Sequence, residues 1–317
     1  MPHPTRRQAL ALLGAGLALP AIARAADAAP VRIGWVRGPN DITTGRARGT
    51  LERALAAQGA RIEWAGPFPA AAPALEALNA GSIDLTAGSS TASIAALAAG
   101  IPMVIFAYQK IGPAGEGILV KQDGPVRQLA DLAGRNVAVN RGGTGEYLLM
   151  RALERNNVPA GTVKRVYLSP GDSGAAFAQG HVDAWATWDP FVTIALQSYG
   201  ARLLADGAAI GSDNAVTLMA SRDFVATRRP LLQAVFDCCL ADNRWALDNS
   251  EEAGRIWAEA MALPAALAPA IGRNNAVPTR AVTAADVAQI RQIADWYVSS
   301  RIIPRRPDIA AGVVRLG

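Results

Sequence analysis

Gly180-His181-Val182-Asp183-Ala184-Trp185-Ala186-Thr187-Trp188-Asp189-Pro190 reads as a buried strand that carries a tryptophan and a carboxylate to its own C-terminal end. Val182, Ala184 and Ala186 alternate with other residues, and Pro190 suits the first turn of a following helix. The same layout occurs upstream. Leu78-Asn79-Ala80-Gly81-Ser82-Ile83-Asp84 aligns without gaps on Phe177-Ala178-Gln179-Gly180-His181-Val182-Asp183, each after an apolar helical pattern. Carried forward, the alignment sets Ser89 and Ser90 opposite Trp188 and Asp189. One helix-turn-strand-helix unit is therefore used twice.

Gly81 and Gly180 are 99 residues apart, beyond the roughly 20 to 50 of a solenoid repeat, so two similar lobes explain the duplication better. Open α/β sheets bind ligands beyond the carboxyl ends of their strands, against helix N-termini. Two such edges facing each other make a cleft. Gly81, Asp84, Gly180 and Asp183 read as helix-to-strand turn chemistry, and the residues one strand further on are the functional candidates.

The chain has 317 residues, 51% hydrophobic and 18% charged, enough for two substantial cores. Its first 25 residues pair Arg6-Arg7 with an apolar run from Ala9 to Ile22 and a small-residue site, Ala23-Arg24-Ala25. That is a secretory signal with export to the periplasm expected. The adjacent arginines resemble a twin-arginine signal, while Ala9 stands where a larger apolar residue is usual, so Sec export stays open. Removing Arg6, Arg7 and Arg24 takes the formal charge from +5 to +2, which is no nucleic-acid footprint. Cys238 and Cys239 are sequence neighbours, too close for an ordinary disulfide, and Cys239 falls on an apolar helical stripe. His181 is the one histidine after the leader, which leaves no His-rich metal site and no Ser-His-Asp triad except through it.

Strand and helix patterns alternate along the chain, and the expected fold class is α/β. The expected division is a signal peptide at 1–25, lobe I at 26–109 and 214–317, and lobe II at 110–213, with crossings near Lys110 and Ser212 to Asn214. From Asp223 onward the pattern is helical, a tail expected to wrap lobe I.

Three turns point at the expected cleft: Ser89-Ser90-Thr91, Gly142-Gly143-Thr144-Gly145 and Trp188-Asp189. Each offers backbone N–H groups at a helix start, and small hydroxyls beside them can hold an anion without a full countercharge. Leu148 stands where a dinucleotide fingerprint needs its third glycine, and no P-loop lysine is present, so nucleotide binding is poorly supported. Glu146 is either a first-turn acid favoured by the helix dipole or a selector for a cationic group on the ligand. Trp188 is an apolar wall for the ligand or a plug for the lobe, and Asp189 is a helix N-cap or a ligand contact. Arg37, Arg46 and Arg141 are possible ion partners, each also readable as surface.

Phe68-Pro69-Ala70, Leu75 to Leu85, Leu148 to Leu153, Ala175-Ala176-Phe177, Val182 to Pro190 and Ile303 to Ile309, in that order, closely resemble the aliphatic-sulfonate binding proteins of ABC importers. The resemblance implies a type II periplasmic-binding-protein fold, two α/β lobes joined by two crossings, closing on a small organic anion. It also implies delivery to an inner-membrane permease by a monomer, without catalysis, cofactor or metal. The implied ligand set is Ser89, Ser90, Thr91, Gly143, Thr144, Gly145, Glu146, Trp188 and Asp189. Two departures stand out: Ser89-Ser90-Thr91 replaces the family's common Thr-Gly-Asp, and Gly143-Thr144-Gly145 replaces Gly-Ser-Ser. The alternative is an enzyme of the same fold acting on a pyrimidine-type or small anionic substrate.

Overall fold

A computed structural model describes residues 29–317; the leader expected at 1–25 lies outside the described residues. The first half runs β1 (Val31–Val36), α1 (Asp41–Arg48), α2 (Thr50–Ala56), β2 (Ile62–Phe68), α3 (Ala71–Asn79), β3 (Leu85–Ser89), α4 (Ser90–Ala99) and β4 (Met103–Lys110). The second runs β5 (Glu116–Lys121), β6 (Asn136–Val139), α5 (Thr144–Arg155), β7 (Lys164–Tyr167), α6 (Pro170–Ala178), β8 (Ala184–Trp188), α7 (Phe191–Ser198) and β9 (Ala201–Asp206). After α8 (Gly207–Ile210) the chain returns as β10 (Ala215–Ser221). It ends in α9 (Arg222–Thr227), α10 (Arg229–Asp248), α11 (Ser250–Ala260), α12 (Ala268–Asn275), β11 (Thr279–Ala281) and α13 (Ala284–Ser299).

The strands form two sheets of the same plan, β2-β1-β3-β10-β4-β11 and β7-β6-β8-β5-β9. In each, a parallel trio is followed by an antiparallel strand, β10 or β5, and that strand is the one entering from the other half. The duplicated unit is visible residue by residue. Helices Ala71–Asn79 and Pro170–Ala178, and strands Leu85–Ser89 and Ala184–Trp188, are offset by 99 positions throughout. Gly81 and Gly180 take the left-handed conformation after their helices, at φ 69° and 77°. Asp84 then accepts from the Arg32 amide at 2.8 Å and Asp183 from the Asn136 amide at 2.9 Å, pinning each strand to its neighbour. Arg32 and Arg135 pair with those two carboxylates.

Some elements depart from the sequence pattern. β2 runs on through Pro67 because it lies at a sheet edge, where a missing N–H costs no ladder bond. β11, three residues long after Pro278, adds an edge strand to the first sheet that no alternation signals. The helical tail also does more than wrap the first half. Ile194 of α7 is buried with Ala253, Trp257, Leu267 and Ile271 of the tail, so α11 and α12 rest on both halves. Cys239 is fully buried in the first half's core, and both cysteines are free.

Asp41 ties the tail to the start of α1. Its carboxylate accepts from Asn243 Nδ2 at 3.2 Å and Thr279 Oγ1 at 2.7 Å, yet burial outweighs these bonds and pushes its pKa up to about 6. A carboxyl raised in the folded state favours folding while protonated. That contribution is complete below the unfolded value near 4 and is lost as pH rises through about 6, about 3 kcal/mol at 1.36 kcal/mol per unit. Asp41→Asn is expected to remove this slope, measured by urea unfolding of both proteins at pH 4 and 7.5. Equal slopes in the two proteins would assign the dependence elsewhere.

Candidate functional site

Each parallel strand of the two trios ends in a short joint and then a helix, so six strand-to-helix joints reach one region between the sheets. A cavity of about 520 Å³ lies there, within the range of small-molecule sites. All six joints line it, through Asn40, Ala70, Ser89, Gly143, Ser169 and Asp189 among others. Each helix start carries the equivalent of roughly half a positive charge, so three helices from each half favour an anion at this one place.

The joints are held by their own caps. Asn40 Oδ1 accepts from the Thr43 amide at 2.9 Å while its Nδ2 donates to the Val36 and Gly38 carbonyls, which locks the loop after β1. Ser89 Oγ accepts from the Ala92 amide, and Ser169 Oγ from the Asp172 amide. Gly143 has no side chain to cap α5; instead Asn140 Oδ1 accepts from the Gly145 amide at 2.7 Å. That bond orients the Asn140 carboxamide and leaves its Nδ2 as a donor in the cavity lining.

Of the expected ligand set, Ser89, Gly143, Thr144, Trp188 and Asp189 line the cavity, whereas Ser90, Thr91, Gly145 and Glu146 do not. Physical reasons are plain for each of the four. Ser90 is turned into the crossing, donating to Asn214 Oδ1 at 3.0 Å and accepting from the Ala215 amide. Thr91 lies between Ser89 Oγ at 2.7 Å and Thr144 Oγ1 at 3.4 Å, a contact between the two halves. Gly145 packs on the β8 backbone. Glu146 is buried and fully engaged: it accepts from the Gly142 amide at 2.7 Å and Tyr167 Oη at 2.6 Å, and pairs with Arg165 at 3.0 Å. Its carboxylate braces the glycine-rich turn.

Trp188 and Trp185 point to opposite faces of β8. Trp185 is buried against Phe177 and Phe191, and Trp188, half-buried, lines the cavity edge-on to Phe191 at 5.6 Å. Asp189 borders the cavity, but its oxygens are taken by the Thr193 amide and hydroxyl, Asn274 Nδ2 and Asn275 Nδ2. Burial raises its pKa against those donors. The Asn275 bond, at 2.7 Å, joins the end of β8 to the end of α12, beside the first crossing segment, whose Gly115 carbonyl accepts from the Asp189 amide at 2.8 Å.

At the crossings, Asn214 is fully buried. Its Nδ2 donates to Glu116 Oε2 and to Thr144 Oγ1, both at 3.0 Å, while its backbone carbonyl accepts from the Ile111 amide. Burial raises the pKa of Glu116. Lys110 Nζ reaches the Ser212 carbonyl and Asp213, so the two crossing segments are tied side by side.

Arg37 and Arg141 stand exposed on the cavity wall, one from each half, and Arg141 lies 3.7 Å over the Tyr167 ring. Arg46 instead stacks on Trp35 and Trp64. His181 is exposed, bonded to Gln179, at the end of β8 remote from Trp188. Sequence reasoning missed Asn40, Asn140, Ser169 and Asn275. Ser169 before Pro170 is a helix-start signature that could have revealed it, and Asn40 before Asp41 is another. No local signal marks Asn275.

Comparison with known proteins follows the same lines. The NMT1/THI5-like family model matches residues 58–253. An aliphatic-sulfonates-binding protein of Escherichia coli is 33% identical over 303 residues, covering 95% of this chain and 93% of its own. The solved alkanesulfonate-binding protein SsuA of Xanthomonas axonopodis pv. citri, bound to MOPS, superposes with a TM-score of 0.85 at 29% identity, covering 92% of this chain and 100% of that one. The periplasmic aliphatic sulphonate binding protein SsuA of Escherichia coli gives 0.81 at 31% identity, covering 91% and 92%. With two sheets of one plan, a cleft of helix starts between them and this similarity along nearly its whole described length, the chain belongs to the NMT1/THI5-like family.

Proposed function

We propose that this chain is the exported solute-binding component of an ABC importer, working as a monomer in the periplasm. It takes an aliphatic sulfonate or related small organic anion between its halves and presents it to the inner-membrane permease. The observation that carries this is the convergence of six helix starts on one cavity whose remaining wall is largely apolar. An anionic head meets amides, the Ser89 and Thr144 hydroxyls and Asn140, while Trp188 covers the organic part. The named relatives are binding proteins, which weighs against the enzyme alternative. Closure follows from the layout: residues 26–109 with 214–317, and 110–213, each supply half the donors. The bound state therefore favours the closed arrangement, with the tied crossings as hinge.

The test is a thermal-shift panel of sulfonates, sulfate, nitrate and carboxylates on the mature protein, followed by calorimetry on Thr144→Val and Ser89→Ala. A sulfonate is expected to raise stability, since it binds only the folded state. Each hydroxyl removed is expected to weaken it about three- to tenfold, one hydrogen bond's worth. No stabilising anion, or unchanged affinity in both variants, would overturn the reading.

A further inference from the structure

Glu116 is a buried carboxyl that the binding account leaves unused. It opens β5 directly after the first crossing, and Asn214 of the second crossing donates to its Oε2. The Ser212 hydroxyl is its other donor, and both donors are neutral. α8 closes a further side, so tightly that a Cβ on Gly207 would lie 3.2 Å from Glu116 Cγ.

The titratable groups around Glu116 provide it with no cation of its own. At the crossings, Lys110 favours its charge and Asp213 opposes it, and these two pair with each other at 3.1 Å. Asp206 of β9 accepts from the Ala209 amide at the start of α8. Tyr147 of α5 and Tyr297 of α13 are kept protonated by burial first and by the Glu116 charge after it. On β8, Trp188 stands opposite Glu116 in the ladder, and Asp189 beyond it has four donors to itself. Burial is the largest influence on Glu116, and it favours the protonated carboxyl.

The same carboxyl is connected to the ligand site. The Asn214 carboxamide donates to Glu116 Oε2 and to Thr144 Oγ1, and Thr144 lines the cavity. Because its oxygen accepts from Asn214, the Thr144 hydroxyl has its own proton to give to an anion. An anion oxygen bonded there lies within roughly 9 Å of Glu116, three hydrogen bonds end to end. Asn214 and Thr144 are both buried, so salt screens this path little.

We propose that Glu116 is a proton site coupled to the anion site: the protein takes up a proton there as it binds the anion, and holds the anion more tightly in acid than in base. The inference rests on the anion reading above and deepens it by adding the proton as a second ligand. An anion nearby disfavours the carboxylate, so binding raises the pKa of Glu116, and by linkage a protonated Glu116 raises anion affinity by the same factor. The gain is complete below the value in the empty protein and is lost as pH rises through the value in the loaded one. Two unit charges about 9 Å apart, at effective dielectric constants of about 20 to 40, give a factor of roughly five to twenty.

Calorimetry with ethanesulfonate at pH 5 and pH 8.5 reads the coupling. A sulfonate stays ionised across this range, and the exposed His181 lies at the far end of β8, so neither supplies the slope. The wild type is expected to bind about five- to twentyfold more tightly at the lower pH. At an intermediate pH it is expected to absorb protons on binding, seen as a heat that changes with the ionisation heat of the buffer; this is read without any variant. Glu116→Gln copies the protonated carboxyl, its carbonyl accepting from Asn214, and is expected to keep the low-pH affinity at both pH values and absorb no protons. Asp41→Asn is expected to keep the wild-type slope, since Asp41 is turned to Asn243 and Thr279 of the tail. Equal wild-type affinity at the two pH values without proton uptake, or a slope that persists in Glu116→Gln, would overturn the coupling while leaving anion binding intact. Failure of the wild type to bind ethanesulfonate at either pH would overturn the sulfonate reading and the coupling together.

Discussion

Asn214→Asp is expected to make the protein markedly less stable at neutral and alkaline pH while leaving its stability in acid nearly unchanged. The substitution preserves shape but replaces the Nδ2 donor that lies 3.0 Å from Glu116 Oε2 with a second carboxylate oxygen. Two carboxylates at that distance cannot both ionise, so the folded pair holds a proton that the unfolded chain releases near pH 4. The folded value is raised; the pair's contribution is therefore present below the unfolded value and lost as pH rises through the folded one. Burial already raises Glu116 in the native protein, so the variant adds to an existing strain. Breaking such a buried arrangement costs about 3 to 5 kcal/mol at pH 8, with little loss at pH 4.5. Urea unfolding at the two pH values reads this directly. Equal destabilisation at both would mean that Asn214 matters only as a spacer.

Gly145→Ala should be nearly as damaging for a different reason. An ideal Cβ on Gly145 falls 2.4 Å from the Ala186 carbonyl oxygen and 2.8 Å from Asn140 Oδ1. The first is backbone of β8 and cannot rotate away, so α5 must move off the sheet. Overpacking of this kind costs about 1 to 3 kcal/mol. The larger effect is on binding, because the start of α5 carries Gly143 and Thr144 into the cavity. A shift that breaks the Asn140 bond misplaces both, and sulfonate affinity is expected to fall about tenfold or more, the equivalent of about 1.4 kcal/mol. Gly161→Ala is the control, since nothing lies within 4 Å of its added methyl group. Matching affinities in the two variants would remove α5 from the binding account.

How much of this was readable in advance depends on the range of the interaction. The duplicated unit was legible because its signals are local: a left-handed glycine, an aspartate three residues on and alternating apolar residues, twice. The joints at Ser89 and Trp188 followed from it, and the one at Gly143 from the alternation of strand and helix, since a strand that ends before a helix start must deliver its last residues to the sheet edge. Trp185 and Trp188 were separable by strand parity alone. What stayed hidden were pairings with no period. Glu146 finds Arg165 and Tyr167 across a parallel strand, and Asp189 finds Asn275 from 86 residues away. Spacing could not show that these carboxylates are already occupied. β11 escaped for a related reason, three residues being too few for alternation to register.

The strand order also fixes when each half can be completed as the chain is made. The second sheet, β5 to β9, closes within the contiguous segment Glu116–Asp206. The first does not, because β10 inserts between β3 and β4 and pairs with both. Until Ala215–Ser221 has emerged, β3 and β4 face a gap with unpaired edges on either side, the kind of surface that recruits strands from other chains. The half of the protein that is begun first is finished last, and its central strand is supplied only by polypeptide made after the whole of the other half.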